Sequence, residues 1–165
     1  MKIREIMHGK VKTCSPESYL DAVALDMWNN DCGAIPIVDQ QHKPIGIVTD
    51  RDIAMGSAIQ HKPLWDIKSI DVAQNRTLYT CKIDDDISDA LESMKANQIR
   101  RLPVVDKQGK LVGMLSMGDV ISHTGNSEAH RKSEIAEDKT LAALKAVSHK
   151  QTPHLPAVKA NVRAV

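Results

Sequence analysis

From Ser15 onward the chain alternates stretches whose apolar residues recur at helical spacing with short, continuous apolar runs. In SPESYLDAVALDMWNND, Leu20, Val23, Ala24 and Met27 fall on one helix face, behind a capping serine and early acids, which predicts a helix. AIPIVD is an apolar run closed by the turn DQQHKP, and IGIVT is a second, so this pattern predicts a hairpin of two strands. TDRDIAMGSAIQ then begins another helix. The order returns further on: DDDISDALESMKANQ as helix, RLPVVD as strand, KQGK as turn, LVGMLS as strand and GDVIS as the start of a helix. With leading strands at Thr13-Cys14 and Thr80-Cys81, each half reads β-α-β-β-α, and HKPLWDIKSIDVA connects the halves.

The resemblance between halves extends to identities. Residues 70–120, moved back by 67 positions, align with residues 3–53 without a gap. Thr13-Cys14 falls on Thr80-Cys81, Met27 on Met94, Pro36 on Pro103, Val38-Asp39 on Val105-Asp106, Gly46 on Gly113 and Asp52 on Asp119. One supersecondary unit is therefore used twice, packed face to face because neither half buries its apolar side alone. The predicted fold is α+β, two β-α-β-β-α repeats related by a pseudo-two-fold axis, which makes two equivalent clefts. Residues 1–61 form the first repeat and 62–122 the second. Residues 123–165 form a tail: SEIAEDKTLAALKAVSHK predicts one modest helix carrying Ile135, Leu141, Leu144 and Val147, and the rest reads as polar and partly disordered.

Composition removes several functions. The formal net charge is +1, so no overall field draws in nucleic acid or an anionic membrane. Aromatic residues make up 2% of the chain and there is no Phe, which leaves no platform for stacking bases. The start, MKIREIMHGK, carries charges where a signal peptide needs an apolar stretch, and no segment reaches membrane-spanning length, so the expected location is the cytoplasm. The 3 cysteines, none in CxxC spacing, fit a reducing compartment, and Cys14 and Cys81 read as small buried residues. The tail holds seven Lys/Arg against four Asp/Glu, a weak basis for an electrostatic docking arm.

The chemistry concentrates at two strand-to-helix junctions, Gly46-Ile47-Val48-Thr49-Asp50-Arg51-Asp52 and Gly113-Met114-Leu115-Ser116-Met117-Gly118-Asp119. Two readings compete. In one, Thr49 and Ser116 are N-caps and the Asp three residues later completes a variant capping box. In the other, free N–H groups and a hydroxyl at a helix start hold a phosphate, the carboxylate accepts from a ribose diol, and Gly46 and Gly113 admit a ligand close to the backbone. The pair Arg100-Arg101 suits phosphate, or equally the carbonyl end of a helix. The run Asp84-Asp85-Asp86 precedes a helix, where acids favour the dipole; magnesium is the lesser alternative. No metal-ligand spacing and no nucleophile–base pair stands out, so no catalytic or metal residues are assigned and the chain reads as a non-enzyme.

GIVTDRD and GMLSMGD, the strands AIPIVD and RLPVVD, and the helices DAVALDM and SDALESM together resemble a tandem pair of cystathionine β-synthase (CBS) domains, the Bateman module. The resemblance covers about residues 1–122, and the layout is similar to small stand-alone bacterial CBS-pair proteins. It implies a regulatory sensor of adenosyl ligands, AMP, ADP or ATP, with S-adenosylmethionine or NAD(H) as further members of the class and no required cofactor. Carried over by position, cleft A would use Ile47, Thr49, Arg51 and Asp52, with Thr80, Ile99, Arg100 and Arg101 opposite. Asp52 would take the ribose hydroxyls, Thr49 and the arginines the phosphates, and backbone near Thr80 and Ile99 the adenine.

Cleft B would use Met114, Ser116 and Asp119, with Thr13, Cys32, Gly33, Ala34 and Ile35 opposite. Gly33-Ala34 stands where the other repeat has Arg100-Arg101, and Gly118 where it has Arg51, so cleft A is expected to be the tighter site for charged nucleotides. The family resemblance also implies a homodimer through the helices. The alternative function is a ligand-free dimerisation or interaction scaffold, with the tail helix engaging a protein target.

Overall fold

The structure is a computed structural model and describes residues 1–123 and 137–148. The periodic segments form the elements their patterns predict. In the first repeat, α1 (Leu20–Asn29) leads to β1 (Ala34–Val38), β2 (Pro44–Thr49) and α2 (Asp50–Gln60). After the short helix α3 (Ser69–Ala73), the second repeat gives β3 (Cys81–Lys82), α4 (Ile87–Asn97), β4 (Arg101–Val105), β5 (Leu111–Ser116) and α5 (Met117–His123), and α6 (Glu137–Ser148) follows.

The two hairpins share a register. Ala34 faces Thr49 and Pro36 faces Ile47 in the β1–β2 pair, as Arg101 faces Ser116 and Pro103 faces Met114 in β4–β5. Each has an irregularity one residue before its turn, between Ile37 and Val38 and between Val104 and Val105. The identical Asp39 and Asp106 explain the turns. Each places one carboxylate oxygen on two backbone N–H groups, those of Gln41 and Lys43 in the first repeat and of Gln108 and Lys110 in the second. The leading strands are unequal: β3 runs parallel to β4 over two residues, whereas Cys14 makes only a single parallel bridge with Ile37.

Each repeat has its own core, but the cores exchange their leading segments. The first buries Leu20, Val23, Met27, Ile35, Ile37, Val48 and Ile53 together with Ile67 and Ala73, which come after α2. The second buries Met94, Leu102, Val104, Leu115 and Val120 together with Ile3 and Ile6 from the start of the chain. Backbone bonds fasten both exchanges. Leu20 N–H donates to Ile67 O at 2.9 Å and Ser69 N–H to Ser18 O at 2.8 Å, while Ile3 N–H donates to Asp85 O and Ile87 N–H to Met1 O, each at 3.1 Å. The fully buried Ser69 hydroxyl donates to Ser15 O at 2.7 Å. HKPLWDIKSIDVA is thus part of the first core as well as a connection.

Two expectations about helices change. Ser15 does not cap α1: the helix starts at Leu20, its N-cap Tyr19 makes no side-chain cap bond, and backbone of residue 67 satisfies its first N–H. In α6 the inward stripe is Thr140, Ala143, Leu144 and Val147, packed near α4 and α5, while Leu141 is 49% exposed. Ile135 and the polar remainder of the tail lie outside the described residues.

Candidate functional site

At the β2–α2 junction the backbone turns from strand to helix at Thr49, which leaves the first helical N–H groups to be satisfied locally. Asp52 N–H donates to Thr49 Oγ1 at 3.2 Å, and Asp52 Oδ2 accepts from Thr49 N–H at 2.9 Å and from its hydroxyl at 2.7 Å. This is the capping box. The β5–α5 junction repeats it: Asp119 Oδ2 accepts from Ser116 N–H at 2.7 Å and its hydroxyl at 2.6 Å, and Asp119 N–H returns a bond to Ser116 Oγ at 3.2 Å.

The cap uses one oxygen of each carboxylate and leaves the other for a cation from a segment ahead of a leading strand. Arg76 Nη1 donates to Asp52 Oδ1 at 2.5 Å, and His8 Nδ1 lies 3.6 Å from Asp119 Oδ1. Asp52 is 4% exposed, a burial that a carboxylate tolerates only when both oxygens are partnered. The two junctions therefore differ in their partner: a guanidinium bonds Asp52, and an exposed imidazole lies near Asp119. Sequence reasoning missed both partners. Arg76 aligns with Gly9 and His8 with Asn75, so the repeat gave no signal for either.

The arginines separate. Arg51 is exposed in the first turn of α2, and its N–H donates to Asp50 Oδ1 at 2.7 Å. Arg101 begins β4 and crosses toward the first repeat: a Cβ built on Gly33 would lie 3.5 Å from Arg101 Nη2 and 3.2 Å from Asp50 Oδ2. Arg100 turns away to α6, donating from Nε and Nη2 to Val147 O at 3.2 and 3.0 Å. Of the arginine pair assigned to phosphate, one thus serves as a helix-end partner.

The remaining residues split by burial. Ile47 and Ile99 are half-buried and Thr80 is exposed just before β3. Around cleft B, Thr13 is half-buried, Ala34 is 8% exposed and Met114 is 8% exposed, with its N–H and carbonyl both bonded to His8 at 2.9 Å. Ile35 is fully buried in the first core, so its side chain faces no cleft. Cys32 N–H closes α1 by donating to Met27 O, and Cys32 and Gly33 line a hollow of about 420 Å³ with Trp28, Asp50 and Ile53. That hollow is walled by α1, the segment after it and α2, and it reaches the β2–α2 junction through Asp50, while Thr49 and Asp52 do not line it.

The glycines do not admit a ligand as expected, because the chain fills the space itself. A Cβ on Gly113 would lie 2.7 Å from His8 O, and one on Gly46 would lie 3.2 Å from the Ala73 Cβ. The three consecutive aspartates diverge: Asp84 pairs with Arg4, Asp85 accepts from Lys82 N–H at 2.8 Å, and Asp86 caps α4. Burial pushes the Cys81 thiol up to about 12, with the Asp85 charge adding to it, and burial also raises Cys14.

Comparison with known proteins shows the family. The family model for the CBS domain matches residues 3–57 and again 67–125. The CBS domain-containing protein YhcV of Bacillus subtilis is 31% identical over 131 residues, 77% of this chain and 88% of that protein. The uncharacterized protein MK0525 of Methanopyrus kandleri is 31% identical over 121 residues, 73% of this chain and 61% of its own length. An inosine-5'-monophosphate dehydrogenase of Methanocaldococcus jannaschii is 29% identical over 130 residues, yet the match spans only 25% of that enzyme.

Among solved structures, the CBS domain protein TA0289 of Thermoplasma acidophilum superposes with a TM-score of 0.73 at 19% identity, covering 95% of this chain and 82% of that one. The CBS pair of MJ0100, in complex with 5'-methylthioadenosine and S-adenosyl-L-methionine, gives 0.66 at 23% identity over 76% of this chain and all of that one. CBSX2 in complex with AMP gives 0.62 at 21%, over 73% and 93%. The chain belongs to the CBS-domain family and carries the domain twice.

Proposed function

We propose, from this family membership, that the chain is a non-catalytic regulatory module that binds an adenine nucleotide in the cleft around Thr49 and Asp52. One observation carries the reading: Asp52 is buried at a helix start with one oxygen committed to the cap and the other to a guanidinium that is itself 55% exposed. Such an arrangement suits a diol and a phosphate together. The Oδ1 side of Asp52 accepts from ribose hydroxyls, and Arg76, released from the carboxylate, meets the phosphate at small cost because its head is already solvated. Arg51, exposed in the first turn of α2, and Arg101, whose Nη2 would lie 3.5 Å from a Cβ on Gly33, are the further cations this reading draws on. The complexes of MJ0100 and CBSX2 support the adenosyl class.

Cleft B is the weaker site for a charged ligand. Its Asp119 faces His8, an imidazole that is 79% exposed and 3.6 Å away, where Asp52 has a bonded guanidinium, and Gly118 stands where cleft A has Arg51. Calorimetric titration with AMP and ATP tests the ranking. Arg101→Ala should weaken AMP binding about tenfold or more, the scale of one lost hydrogen bond to a charged group, whereas Asp119→Ala should leave the tight site in place. Unchanged AMP affinity in Arg101→Ala would count against the assignment. A flat thermal-shift response to AMP, ADP, ATP, NADH and S-adenosylmethionine would favour the ligand-free scaffold instead, since saturation at a hundred times the dissociation constant adds about 2.7 kcal/mol.

A pairing surface accompanies the site. Leu25, Trp28 and Met55 are 62%, 85% and 41% exposed on α1 and α2, while α6 packs against α4 and α5 in the second repeat. A C2 homodimer through the α1–α2 face is the arrangement this exposure favours.

A further inference from the structure

Arg100 has two claims on it. Its place, immediately before β4 and beside Arg101, is one the family resemblance assigns to a phosphate in cleft A. Yet both Nε and Nη2 are spent on the carbonyl of Val147, at the C-terminal end of α6. Helix ends carry unsatisfied carbonyls and partial negative charge, so a guanidinium there holds the helix in place. The rest of the attachment of α6 is apolar packing. Ala143 and Val147 are buried in the second core and Leu144 packs partly buried against it, while Thr140 Oγ1 is buried with no hydrogen-bond partner among the described residues and Leu141 faces out. A helix of 12 residues is marginal in water when detached, so its order depends on this docking.

A carbonyl is the poorer partner for a guanidinium. A phosphate oxygen is charged and accepts a two-pronged bond, which makes it the stronger competitor for the same donors. Only the second repeat can set up the competition, because the position of Arg100 is Gly33 in the first.

We propose that Arg100 is shared between two occupants: it holds the end of α6 against α4 and α5, or it turns into cleft A to bind a nucleotide phosphate, so that phosphate-bearing ligands loosen α6. The inference rests on the nucleotide reading of that cleft. Coupling is reciprocal, so loosening α6 must also tighten nucleotide binding. It runs through the phosphate, so adenosine can enter the cleft without releasing the helix.

Amide hydrogen exchange of residues 137–148 in the full chain, with calorimetry on the same samples, tests this. AMP and ATP should speed exchange of that segment about tenfold, the scale of one hydrogen bond to a charged group, and saturating adenosine should not. Ala143→Glu, which undocks α6, should bind AMP about tenfold more tightly than the unaltered protein. In Arg100→Ala, a change that touches neither core, exchange over 137–148 should be fast without nucleotide and indifferent to it. If AMP binds the unaltered protein while exchange over 137–148 stays the same, the coupling is wrong and the nucleotide site stands; persistence of the AMP effect in Arg100→Ala also overturns it. If neither the unaltered protein nor Ala143→Glu binds adenosine, AMP or ATP, the nucleotide reading fails and the coupling with it.

Discussion

Burial decides what a polar side chain here can do. Asp52 at 4% exposure has both of its oxygens answered, one by the cap and one by a guanidinium, whereas the buried thiols have no such partners among the described residues. Cys14 and Cys81 lie at 8% and 7% exposure, burial raises both thiols, and Cys81 is pushed up to about 12. Since the thiolate is the nucleophile, raised values make these sulfurs inert near neutral pH. Cys32, half-buried and lining the hollow beside Trp28, is the accessible one. Iodoacetamide at pH 8 followed by peptide mass spectrometry should label Cys32 first, with Cys14 and Cys81 reacting only after denaturation. Equal labelling of Cys81 and Cys32 in the native protein would contradict the burial argument. Residues like Thr49, Asp52, Ser116 and Asp119 were legible in the sequence because a cap has fixed spacing. Arg76 and His8 were not, because they act across the fold from segments with no periodicity.

Equivalent helices begin by different means. Backbone of residue 67 starts α1, while Asp86 starts α4, its carboxylate accepting from Ser88 N–H at 3.2 Å and from the Ser88 hydroxyl at 2.9 Å. Those bonds, with smaller help from the chain's N-terminal ammonium and Lys2, hold the Asp86 carboxyl below its ordinary value of 3.8. A carboxyl depressed in the folded state stabilises the fold above its unfolded value and loses that contribution as pH falls through the folded one. Asp86→Ala should therefore lower Tm at pH 7, and the gap to the unaltered protein should close as the pH is taken below 3.8. A constant gap down to acid pH would assign the loss to something other than the charged cap. Helix existence was readable from apolar spacing in both cases. The inward face of α6 was not, because alanines fit either side of a helix and only contact with α4 and α5 decides between Leu141 and Ala143.

At the scale of the molecule, the exchange of leading segments turns two similar repeats into one unit. A repeat visible as self-similarity says that two copies exist; it does not say which leading segment packs on which copy, since Ile3 and Ile70 occupy matching positions. The structure puts Ile3 in the second core, and Ile67 from the other leading segment in the first, both fully buried. Neither core is complete without chain from beyond the other, so neither has an independent unfolding route. Removing a fully buried isoleucine side chain costs about 2–5 kcal/mol. Ile3→Ala should thus destabilise the second repeat, and through the exchange the whole protein, with calorimetry showing one transition at lower temperature. Ile67→Ala should do the same from the opposite side. Two separated transitions in Ile3→Ala, with the first repeat melting at its original temperature, would mean that the cores are independent and that the exchanged segments merely rest on them.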